Sequence, residues 1–347
     1  VFKQECTMRK GGAMNMSASQ MKGEKHWLAF IFGISAAVIF FLGMESQASA
    51  ASLHQQSFAS AEDAVHSFVA AIRSEDTNKM LAILGPGGKD LISSGDEVAD
   101  KNGREKFLKA YDTKNTLVQK SAGTQILHVG DDSWALPIPI AKKGANWIFD
   151  TGKAKKEILK LRIGRNELHV IEMLDAYVDA QQEYAGKDCR GNGMVEFAQR
   201  LFSSPGKRDG LYWESQDGAQ QSPLGPLVAQ AEKEGYAKEQ NLSPFHGYYF
   251  KILKGQGKQA TGGAYSYMVK DKMLLGFALV AYPAEYGNSG VMTFLVNQDG
   301  IIYEKDLGKN SRRTAEKMKV YNPDKSWKRV KTDDEHSTKS KELKPTK

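Results

Sequence analysis

The sequence predicts an α+β protein, helical in its first half and antiparallel in its second, and three observations carry that expectation. Apolar residues recur at the period of an amphipathic helix over much of residues 60–184. Over residues 246–305 they give way to short β-branched and aromatic runs, punctuated by Gly at meander-like intervals. The length, 347 residues, is room for two ordinary domains. The organisation expected is an upstream segment and signal peptide over residues 1–50, a mostly helical α+β lobe over 51–187, an antiparallel β-rich lobe over 188–330, and a disordered charged tail over 331–347.

Each element has its own signal. Ser60 followed by Asp63 marks a helix start, and Val65, Phe68, Val69 and Ile72 form one apolar stripe. Met80, Leu81 and Leu84 belong to a short second helix stopped by Gly85-Pro86-Gly87-Gly88, and residues 103–111 to a third. Strands are expected over 124–129, over 133–141, whose prolines imply a sheet edge, and over 146–149. The helical pattern resumes over 153–163. Asn166 then reads as the N-cap of a separate long helix, with Leu168, Ile171, Leu174, Tyr177 and Val178 facing inward as far as Tyr184. The run 187–193 breaks that helix and marks the lobe boundary, and a further helix is expected over 194–202.

In the second lobe a helix is expected over 224–234 and strands over 246–253, 264–269, 274–282, 291–297 and 301–305. Asp299-Gly300 joins the last two as a hairpin; Asn297 and Asp299 lack the further acidic positions of a calcium loop. The first lobe's helices followed by strands resemble the cystatin-like cone fold, an analogy that carries no function.

The fullest apolar run, residues 27–43, follows Lys22 and Lys25 and precedes Ala48-Ser49-Ala50, the order of a secretory signal peptide. Cleavage is expected after Ala50, giving a periplasmic or secreted protein; the alternative is an inner-membrane anchor over residues 27–43, the only membrane contact expected. Cleavage would leave 43 basic residues against 38 acidic ones, a mild excess with both signs mixed, so no nucleic-acid partner is expected. It would also leave Cys189 as the single cysteine and no internal disulfide.

Familiar chemical motifs are missing. Residues 85–90 (GPGGKD) fail as a phosphate loop, because the first glycine of that motif would fall at Ile83 and Lys89 is followed by Asp90. Residues 188–193 (DCRGNG) hold one carboxylate where a calcium loop needs several. His54, His66, His128, His169, His246 and His336 show no metal-ligand spacing, so no metal or cofactor is expected. The densest polar and aromatic grouping is Asp209, Tyr212 and Trp213 with His246, Tyr248, Tyr282, Tyr286 and Asp306. Flat aromatic faces edged by carboxylates and an imidazole suit a glycan or peptide groove, though a sheet core is the reading the sequence favours.

Segments at residues 203–213 (SSPGKRDGLYW), 222–226 (SPLGP), 246–251 (HGYYFK), 276–283 (GFALVAYP), 286–294 (YGNSGVMTF) and 306–308 (DLG) resemble the bacterial family catalogued as domain of unknown function 2950. Residues 162–167 (RIGRNE) and 180–184 (AQQEY) fit it too. The resemblance implies an exported bacterial protein and supplies no catalytic residues. The function expected is a non-enzymatic binding or scaffolding module of the envelope, its partner an envelope protein or a glycan. The alternative is a hydrolase of envelope glycans or peptides using Asp209, His246 and Asp306.

Overall fold

The computed structural model describes residues 54–188, 193–214, 221–236 and 243–331. Helix α1 (Ala61–Arg73) begins where Ser60 accepts the Asp63 N–H at 3.0 Å, and its expected stripe is buried. Helix α2 (Thr77–Leu84) is capped by Asp76 and ends at Gly85, and α3 (Lys89–Ile92) is a single turn. Helix α4 (Glu97–Thr113) starts six residues earlier than residues 103–111, because Asp96 caps it; no α4 residue is fully buried, so its stripe is faint in the sequence.

A first antiparallel sheet follows, with strands β1 (Asn115–Ser121), β2 (Thr124–Val129), β3 (Trp134–Ala135), β4 (Ile140–Lys143) and β5 (Asn146–Phe149). Its order is β1-β2-β4-β5, with β3 also on β2. Strand β1 is mostly exposed and shows no apolar alternation, which is why the sequence did not announce it. The expected strand over 133–141 is two short strands instead. Pro137 and Pro139 carry no N–H for a ladder, and between β3 and β4 the chain turns Leu136 and Ile138 into the core. Phe68, Ile72, Leu84, Leu127, Ile140 and Phe149 anchor this first core.

Two helix expectations need correction. Residues 151–186 form one helix, α5 (Thr151–Gly186), capped by Asp150, and Asn166 is a buried mid-helix residue rather than an N-cap. Its amide donates to the Ser289 carbonyl at 2.9 Å, so its polarity serves a distant loop and leaves the helix unbroken. Residues 194–202 are not helical. They run as irregular chain with bridges from Phe197 to Met273 and from Phe202 to Tyr212. Gln181, buried on α5, both donates to and accepts from the Ala198 backbone at 2.8 Å, replacing the partners a helix would supply.

Helix α6 (Gly225–Lys233) precedes β6 (Tyr248–Leu253), the ribbon strands β7 (Gly255–Gln256), β8 (Tyr265–Ser266), β9 (Met268–Val269) and β10 (Lys272–Met273), then β11 (Ala278–Pro283), β12 (Met292–Asn297) and β13 (Tyr303–Asp306). Helix α7 (Ser311–Lys317) and β14 (Lys328–Arg329) complete the order β14-β13-β12-β11-β6, antiparallel throughout. The run 264–269 thus splits between two ribbons, and α7 has too few apolar residues to announce itself. Strand β11, paired on both sides, is buried along all six residues, packing with Leu174 and Tyr177 of α5 in a second core. The Asn297–Gly300 turn is a hairpin corner: Gly300 sits at φ +71° and donates to the Asn297 carbonyl, while the Asn297 amide reaches Asp299. The protein is α+β, helices first and antiparallel sheet after.

Among the described residues no helix is long and apolar enough to cross a membrane. The apolar run 27–43, Cys189 and the tail from residue 332 lie outside the described residues.

Candidate functional site

Helices α1 to α5 and the β3–β4 crossing enclose a cavity of about 460 Å³. Its walls are apolar, with Phe68, Ile72, Leu91, Ile92, Phe107 and Ile158 presented by four helices. At its rim stand Trp134, 48% exposed, and Leu161, 61% exposed, two large apolar side chains left in water beside one opening.

The polar lining is arginine-rich: Arg104 from α4, Arg162 and Arg165 from α5, against the carboxylate of Asp100. Arg162 is committed to structure. Its guanidinium donates to the Asp90 and Leu91 carbonyls at 2.6 and 3.0 Å and to the Asn288 amide oxygen, tying α5 to α3 and to the turn after β11. Burial pulls its pKa down, partly offset by Asp100. Asp100 accepts the Ser94 N–H at 2.8 Å, and burial raises its carboxyl above the usual range. Arg104 and Arg165 make no hydrogen bond or ion pair among the described residues.

Beside the cavity runs a polar seam. Asp96 is buried at 1% exposure, yet every bond it makes has a purpose. One oxygen caps α4 through the Ala99 N–H at 3.0 Å, and the other accepts the Tyr236 hydroxyl and the Gly247 N–H, each at 2.9 Å. The Tyr236 oxygen in turn accepts the His246 N–H at 3.3 Å. His246 occupies the left-handed region at φ +48°. Its Nε2 lies 3.2 Å from a Glu234 oxygen, and its ring packs against those of His169, at 4.4 Å, Phe245 and Tyr236. Burial, then the neighbouring His169, lowers the His246 pKa, so the imidazole is neutral at pH 7. A smaller cavity of about 200 Å³, lined by Met173, Phe202, Val228, Tyr236, Phe245 and Tyr249, adjoins the seam.

The residues singled out from the sequence lie elsewhere, except for His246. Asp209 binds the Ser204 N–H and hydroxyl at 2.7 and 2.9 Å, closing its own loop. Tyr212 packs on Phe202. Trp213 is buried edge-on to Tyr184 with the Arg208 guanidinium 5.5 Å from its ring. Tyr248 is fully buried and donates to the Met292 carbonyl at 3.0 Å. Tyr282 is buried beside Tyr249, whose ring carries the Arg312 guanidinium at 4.7 Å. Tyr286 donates to Asp306 at 3.1 Å, the one hydrogen bond joining two of the eight. None of the eight lines either cavity.

Sequence reasoning passed over Arg104, Arg165 and Trp134. The spacing of Arg162 and Arg165, three residues apart on one helix face, was the signal available. Among the described residues no group of three or more His, Cys, Asp or Glu is placed to hold a metal ion.

No curated protein and no solved structure matches the chain. The segments that carried the resemblance include those that build the seam and the turns around it: residues 162–167 supply Arg162, Arg165 and Asn166, residues 246–251 supply His246, and residues 286–294 supply Asn288 and Ser289. The model of the family described as "Protein of unknown function (DUF2950)" matches residues 55–330, well over half of the chain, and the protein belongs to that family.

Proposed function

We propose that this protein is exported to the bacterial envelope and works there as a non-enzymatic binding module, with its ligand seated in the cavity bounded by α1 to α5. The cavity carries the reading: it is roomy, walled by apolar side chains, and edged by two arginines that the described fold does not use. Export rests on the apolar run 27–43 and the Ala48-Ser49-Ala50 site after it. Intact mass of the protein recovered from the periplasm should correspond to a chain beginning at Ala51; retention of residues 27–43 in the membrane fraction would replace export by anchoring. A ligand that favours the folded state raises the melting midpoint by mass action. Nile red, a neutral apolar dye, should raise it saturably, and Ala99→Trp, which intrudes on the cavity, should abolish the shift.

One observation favours a second reading, hydrolysis of an envelope glycan or peptide: a neutral imidazole held by a carboxylate, as in the His246–Glu234 pair, suits a general base. Turnover of peptidoglycan fragments that disappears in Glu234→Gln and His246→Asn would establish it. Of its other expected groups, Asp209 is bonded within its own loop and Asp306 to the Gly308 N–H and the Tyr286 hydroxyl.

A further inference from the structure

We infer that the cavity takes a single-chain amphiphile with an anionic carboxylate head, the chain lying among the apolar walls and the head meeting Arg104 and Arg165. The inference rests on the proposed binding role and narrows it to a ligand class.

Two features of the lining point this way. The interior surface is built from Phe68, Ile72, Leu91, Ile92, Phe107 and Ile158, which offer an apolar chain contact and no hydrogen-bonding side-chain group. The charge around it is lopsided: three guanidinium groups against one carboxylate. That carboxylate, Asp100, is bonded to Ser94, and Arg162 is spent on Asp90, Leu91 and Asn288. Arg104, whose charge faces Asp100, and Arg165, which is exposed, therefore supply positive charge without a hydrogen bond or ion pair among the described residues, from two different helices that line the same cavity. A guanidinium offers paired N–H donors in the plane of a carboxylate's two oxygens, so two of them beside one apolar cavity select an oxyanion over a cation or a neutral head. Trp134 and Leu161 at the rim extend the apolar surface to where the chain would enter.

The test uses the purified full chain and Nile red fluorescence to report the cavity. Dodecanoate and dodecylammonium, equal in chain and opposite in charge, compete below their micelle-forming concentrations. Dodecanoate should displace the dye at a concentration at least about tenfold lower, the scale of one charge-assisted hydrogen bond. In the double variant Arg104→Gln with Arg165→Gln, each amphiphile measured against that variant's own dye affinity, the preference should vanish. Equal displacement by the two amphiphiles, or a preference that survives in the double variant, overturns the inference while leaving cavity binding in place. If neither Nile red nor dodecanoate binds, the binding role and the ligand class fall together.

Discussion

Asp96 shows how one side chain can hold several elements at once. Its carboxylate caps α4 and also receives Tyr236 and Gly247, residues about 140 and 150 positions further along the chain. Asp96→Ala would leave a buried tyrosine hydroxyl and a buried N–H unpaired as well as removing the cap. The expected loss of unfolding free energy is about 2–4 kcal/mol, measured by urea denaturation. His246 adds a pH dependence. Its pKa is lowered in the fold from an ordinary value of 6.5, first by burial and then by His169, with Glu234 and Asp96 opposing and Arg165 reinforcing. The unfolded chain therefore binds the proton more readily. Stability is intact above 6.5 and declines as pH falls toward the folded value. His246→Asn, which tolerates positive φ, should flatten the stability profile below pH 6.5. An unchanged slope would place the titrating group elsewhere. His246 was legible in the sequence as a polar residue in an aromatic run; its partners Asp96 and Glu234 were not, because only the folded chain brings them together.

At the scale of elements, α5 is the organising member. As 36 residues it is about 54 Å long, with Ala154 in the first core and Leu174 and Tyr177 in the second. Its middle carries Arg162 and Asn166, which bind the turn between β11 and β12. Arg162→Ala should cost about 3 kcal/mol, because it leaves two buried-side carbonyls and an amide oxygen without a charged donor. The same turn brings Gly290 against Tyr248: a Cβ there would sit 2.0 Å from the hydroxyl oxygen. Gly290→Ala should therefore destabilise by about 1–3 kcal/mol, and pairing it with Tyr248→Phe should recover part of that loss. Helices α1 and α2, strands β2 and β5 and the hairpin at Gly300 were readable because period, cap and turn signals agreed. Helix α5 was split at Asn166 because a polar residue in mid-helix imitates a cap when its tertiary partner is invisible. Residues 194–202 looked helical because Phe197, Ala198 and Leu201 share that spacing, yet Gln181 and Met273 claim the backbone instead.

For the molecule as a whole, helices before sheet were legible from the change of apolar period, but the cavity was not. A concave site is made of residues far apart in sequence, and the aromatic grouping that stood out over 209–306 is largely core: Trp213, Tyr248 and Tyr282 are buried. The residues that line the cavity are ordinary ones whose meaning depends on their neighbours, such as Arg104 on a helix with no fully buried residue. The proposed role requires that this cavity, and not the smaller one beside the seam, receive an apolar ligand. The most direct measurement is a methyl NMR titration of isotopically labelled Ile and Leu side chains with Nile red. Saturable shifts at Leu91, Ile92, Ile158 and Leu161, with Leu227 and the second-core Leu279 unmoved, are the expected result. Shifts centred on Leu227, or no saturable change at any methyl, would rule out ligand binding in the larger cavity.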